Sequence, residues 1–211
     1  MALFKFLRRR TGIEPEPPRV GGKLAYYGLG DWWLHVLSEE DRQAICARYR
    51  TVGAGRTTHL SVGNVESLGE SALAFLTNLA GNFKATDVRS IAYKLLARAN
   101  ELVGDSSLVL DVHYFHQMVA EINFLDRDDP DRLAASLRAC HAQVAISKAA
   151  ADALVEEEGV PLPTHYGFDR LTSINHALDE PAQAIAMIER ATAEGWNGPW
   201  VKRLNDLRAR S

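Results

Sequence analysis

Cysteine is scarce: Cys46 and Cys140 are the only two in the 211-residue chain, far apart and each within a segment of helical pattern. That excludes a disulfide-stapled scaffold and fits a reducing compartment, the cytoplasm, with both thiols acting as small core groups. Long hydrophobic runs are missing too. No stretch approaches the ~18 apolar residues a membrane-spanning helix needs. The start, MALFKFLRRR, carries its positive charge after the apolar residues, the reverse of a secretory signal. Charge of one sign is not in surplus: 24 Lys and Arg stand against 27 Asp and Glu, a formal net charge of −3. A phosphate-binding surface normally shows a basic excess, so no nucleic-acid partner is expected. Runs of alternating β-branched residues are absent, and Val20 to Tyr27 is the one place for a short extended piece. Reaction-centre motifs are lacking as well. There is no G-x-S-x-G elbow, no H-E-x-x-H and no cysteine in a glycine-rich setting, so no catalytic residue and no cofactor are expected.

What is present is helical periodicity. Hydrophobic residues make up 46% of the chain and charged ones 24%, ordinary for a globular protein with a substantial core. The stretch from Tyr166 to Ala193 reads as two helices joined by the short turn Asp179–Glu180. Phe168, Leu171, Ile174 and Leu178 recur at steps of three and four, one face of a helix. Ala184, Ile188 and Ala191 do the same in the second helix, where small residues let two backbones approach. Pro181 suits a first helical turn, and Gly195 supplies the stop.

This hairpin resembles a tetratricopeptide repeat (TPR). Phe168 and Leu171 stand at that family's large apolar positions, Ala184 and Ala191 at its two alanines, and Ile188 at the bulky position between. Thr172 stands where the family has a small residue, and Pro199 follows the second helix late. The spacing recurs twice upstream. Leu76 and Leu79 precede Ala92, Leu96 and Ala99; Val119 and Ile122 precede Ala135, Ala139 and Ala142. The copies lie further apart than the family's period of about 34 residues. The expected fold is all-α: stacked antiparallel helical hairpins with about nine or ten helices, as a TPR-like solenoid or an irregular superhelix. An irregular bundle of the same helices is the alternative.

Residues 1–22 read as a basic tail and Pro/Gly linker, and residues 23–211 as one helical-repeat domain. Within it, 23–64 is an aromatic cap segment with Trp32 and Trp33; Asp31 caps one short helix and Ser38, with Asp41 three residues on, caps another. Hairpins span 66–102, 107–146 and 165–194, an extra helix spans 147–158, and a capping helix spans 199–210 with Trp200, Val201, Leu204 and Leu207 on one face. The Trp-rich segment also resembles a piece that precedes a repeat-like C-terminal end in uncharacterised bacterial proteins.

A stacked array offers a concave face. The offsets that turn Phe168 and Leu171 inward place Tyr166, Asp169 and His176 on it, with Gln117, Phe124 and Arg127 from the second hairpin and Thr77 and Lys84 from the first. Aromatic, amide and charged groups in one row suit a peptide or helical partner, and the implied role is a non-catalytic adaptor. Three other readings are weaker. His113 and His116 share a helix face, and Cys140 and His141 lie on the paired helix, which suggests a metal-binding protein or metal-dependent helical enzyme. Adjacent Cys140 and His141 diverge by about 100° on a helix, which weighs against it. Leu3, Phe4, Phe6 and Leu7 with Arg8, Arg9 and Arg10 suggest a weak membrane-surface anchor. Gly53, Gly55, Arg56, Thr57 and Thr58 lack the strand and lysine of a phosphate loop.

Overall fold

The computed structural model describes residues 20–52, 60–104 and 107–209. The tail, the proposed lipid anchor and the glycine-containing stretch around Arg56 lie outside these. Eleven α-helices occur among the described residues, with no strand and one isolated bridge between Thr164 and Asn197. The described residues fall into two compact units, one within residues 1–67 and one within residues 68–211.

The first unit holds α1 (Gly22–Tyr26), α2 (Gly30–His35) and α3 (Glu39–Val52). Ser38 and Asp41 close the expected reciprocal cap: the Asp41 amide donates to Ser38 Oγ at 3.1 Å, and the Ser38 amide donates to Asp41 Oδ2 at 3.0 Å. Arg42 reaches back to the carbonyls of Trp33, Leu34 and Leu37, placing a cation where α2 ends in unpaired acceptors. Trp33 is the core tryptophan, beside Leu24, Leu29, Leu37, Ile45 and Leu60, and Trp32 is half-buried. The piece allowed for an extended strand is instead the single helical turn α1, with Gly21 and Leu24 donating to the carbonyls of Ser61 and Leu60.

The second unit is built from packed helix pairs. Its helices are α4 (Ala72–Ala80), α5 (Arg89–Asn100), α6 (Val109–Leu125), α7 (Pro130–Ala145), α8 (Ser147–Glu157), α9 (Tyr166–Ala177), α10 (Pro181–Ala193) and α11 (Trp200–Arg208). α4 pairs with α5, α6 with α7 and α9 with α10. Between pairs, α6 also packs on α4, α7 packs on α9, α8 lies mainly against α6, and α11 covers α10.

The apolar spacing marks the buried face of two of the three pairs, except at the end of α9, where Ile174 is half-buried and Leu178 is 64% exposed. Phe168, Leu171, Ala184, Ile188 and Ala191 are all buried in one cluster with Trp196 and Trp200. Leu76, Leu79, Ala92, Leu96 and Ala99 are likewise buried. The middle pair departs. Ala139 and Ile122 are buried, but Ala135 and Ala142 are only half-buried. The inward stripe of α7 is Ser136, Ala139, Cys140, Gln143 and Val144. The stripe is displaced by one residue because α7 serves two neighbours, α6 and α9, and turns a wider face inward than a two-helix hairpin needs.

Helix limits follow local chemistry. α4 starts six residues later than expected because Ser71 caps it, accepting from the Ala74 amide at 3.0 Å. Asp129 caps α7 with Pro130 in the first turn. Thr86 does not cap α5; its hydroxyl accepts from Arg89. Gly195, at φ +85°, ends α10 in the left-handed region. In α11 Trp200 and Leu207 are buried and Leu204 is half-buried, but Val201 is 74% exposed, since it lies about 100° around the helix from Trp200. No helix among the described residues is long and apolar enough to cross a membrane.

Candidate functional site

The junction of α6, α7 and α9 is where the site is built, and it rests on one glutamine. Gln143 on α7 is fully buried. Its Oε1 accepts the Gly167 amide of α9 at 2.8 Å, which fixes the orientation of the amide group. Its Nε2 then faces α6, 3.2 Å from His113 Nε2 and 3.4 Å from Gln117 Oε1. One side chain thus ties three helices. The approach is close because residue 167 is glycine: a Cβ there would lie 2.9 Å from both the Cys140 carbonyl oxygen and Gln143 Oε1.

His165 caps α9, its Nδ1 accepting the Phe168 amide at 3.2 Å, so the proton sits on Nε2. Because Gln143 donates to His113 Nε2, His113 carries its proton on Nδ1. The two imidazoles meet edge to face at 5.0 Å, and Trp196 stacks on His113 at 5.4 Å and meets His165 at 4.7 Å. Burial pushes both rings down in pKa, His113 to about 4 and His165 to about 3, with each ring's neighbouring histidine adding to the effect. They are neutral at pH 7 and belong to the packing. His141 is exposed, and burial raises the Cys140 thiol to about 11. No group of three or more His, Cys, Asp or Glu side chains among the described residues converges as a metal site would require.

Above this junction the expected concave row is partly assembled. Phe124, near the end of α6, lies under the guanidinium of Arg170 from α9 at 3.9 Å, and Arg127 lies 4.9 Å from the same ring. Arg170 also sits 5.2 Å from the Tyr166 ring. Burial raises the Tyr166 phenol, and the Arg170 charge beside it acts in the opposite direction. Gln117 donates to Glu121 Oε1 at 2.8 Å, and Lys84 pairs with Glu121 at 2.6 Å. Lys84 and Gln117 are therefore linked through Glu121, and Phe124, Arg127 and Tyr166 are gathered around Arg170.

Three residues of the row lie elsewhere. Thr77 is 2% exposed and belongs to the interior of α4, where the apolar face is wider than the two-position spacing implies. Asp169 turns toward α11 and pairs with Arg203 at 2.6 Å. His176 lines a separate cleft of about 200 Å³ with Thr172, Ser173, Arg203, Asp206 and Leu207. Arg170 and Glu121 are missing from the sequence-based row although both complete it. Their signal was available: each lies four residues after a predicted member, Tyr166 and Gln117, on the same helix face.

No known protein family, curated protein or solved structure matches the chain.

Proposed function

We propose that the chain is a TPR-like interaction module whose helix pairs stack side by side, and that it acts as a non-catalytic adaptor for a peptide or helical partner. The observation that carries this is the stack of Phe124, Arg170 and Tyr166, in which α6 and α9, the first helices of successive pairs, supply parts of a single surface. Aromatic rings and a planar guanidinium offer large contact area with few rotatable bonds, the composition of strongly binding interface positions. Gln117 adds a side-chain amide able to engage a peptide backbone. The partner is a protein or peptide, with no cofactor and no nucleic acid in the role, and the cytoplasm is the proposed location.

The test replaces ring faces and leaves the packing. Phe124→Ala combined with Tyr166→Leu removes both stacking surfaces while keeping an apolar group where Tyr166 meets the core. Co-purification from the native host should lose the partner with this variant, and the melting temperature should fall by only a few degrees, since about 1 kcal/mol corresponds to about 2–4 °C at this size. Undiminished recovery of the same partner would remove this face from consideration.

A further inference from the structure

Three carboxylates near this face have partners other than Arg127 and Arg170. Glu121 is held by Lys84 and Gln117, Asp169 by Arg203, and Asp126 by Arg89 and the Tyr93 hydroxyl. Arg127 and Arg170 are left without an ion pair among the described residues, although both approach the ring of Phe124. Arg127 makes one hydrogen bond, to the Phe124 carbonyl; the Arg170 guanidinium interacts with the Tyr166 hydroxyl, while its Nε is buried with no hydrogen-bond partner. Each guanidinium gains a cation–π contact with the ring, but neither charge is neutralised there, so an anion reaching both would add charge pairing to the contact already made.

We infer that this face recognises a carboxylate side chain of the partner, set beside an apolar residue, with Arg127 and Arg170 gripping the acid and Phe124 carrying the apolar neighbour. The inference rests on the peptide-binding reading of the same face and adds the chemistry of the guest. Guanidinium planes match carboxylates in two-point hydrogen bonds, and an arginine already stacked on a ring has lost the freedom that binding would otherwise remove. The local field selects in the same direction. An acidic segment meets two unneutralised cations, whereas a basic one meets like charge.

The full-length protein is used to select binders from a random peptide library displayed on phage. Each selected peptide is then measured by fluorescence anisotropy beside its Glu→Gln or Asp→Asn version. The expected result is enrichment of Asp or Glu next to a large apolar residue, with the neutral version binding at least about tenfold more weakly, the scale of a charge-assisted hydrogen bond. That difference should shrink to near onefold with Arg127→Gln/Arg170→Gln and be partly kept with Arg170→Lys. Arg127→Gln alone, at an exposed side chain, guards against a folding defect. Peptides that need Phe124 but bind equally in acidic and neutral form would overturn the inference and leave the peptide-binding reading standing. Binders indifferent to both Phe124 and the arginines would overturn both.

Discussion

At the residue scale Gln143, Gly167 and His165 hold the junction, three polar or small groups buried at positions the apolar pattern does not mark. A methyl group at residue 167 has nowhere to go, because the atoms it would meet at 2.9 Å include a backbone carbonyl. Gly167→Ala should therefore destabilise the fold by about 1–3 kcal/mol, read as a lowered urea midpoint with unchanged slope. The buried imidazoles set a pH dependence whose sign follows from their depressed pKa values. The unfolded chain takes up protons near pH 6.5, whereas folded His113 and His165 do so only near 4 and 3. Stability from this source is fully present above about pH 6.5 and is lost as the pH falls toward those folded values. His165→Asn keeps a capping oxygen but removes one titrating ring. It should lower stability at pH 7 and flatten the slope of stability between pH 4.5 and 6.5; an unchanged slope would contradict the assignment.

At the element scale, the sequence is informative where one residue type has one use. Ser38 with Asp41, and Asp129 with Pro130, mark helix starts because each satisfies amides that otherwise have no partner. The alanines of α5 and α10 mark buried faces because only small side chains permit close backbone approach. The α7 stripe misleads for the same reason. Alanine is tolerated both at a tight contact and at a half-covered position, so Ala135, Ala139 and Ala142 all fit the spacing although Ala135 and Ala142 are only half-buried and Ser136 and Gln143 are buried. A buried glutamine reads as surface until its three partners are known. The α9–α10 turn supplies another check. Asp179 adopts φ +59°, with the Glu180 amide donating to the Asn175 carbonyl, a closure that glycine enters without strain. Asp179→Gly should raise stability by up to about 1 kcal/mol, measured by thermal unfolding, because an L side chain disfavours that conformation.

At the scale of the whole molecule, the candidate face exists because two helix pairs meet across α7. Phe124 and Tyr166 could be placed on one face from helical offsets alone, since those depend only on 3.6 residues per turn, whereas Arg127 lies two residues beyond the end of α6 and approaches the Phe124 ring from the turn. Thr77, Asp169 and His176 could not be excluded from it, because their positions depend on the interior of α4 and on where α11 lands. The four-residue step puts Arg170 on the face of Tyr166, but its contact with Phe124 depends on how α6 and α9 pack and is not in the sequence spacing. The central claim is therefore the three-helix junction that brings α6 and α9 together. Its most direct test is a nuclear Overhauser experiment on the native protein at neutral pH. The account predicts cross-peaks among the ring protons of His113, His165 and Trp196, whose centroids lie 4.7–5.4 Å apart, and between the Gly167 amide and the Gln143 side chain. Sharp ring signals with no such cross-peaks, and a Gly167 amide that exchanges as fast as an open loop, would contradict it.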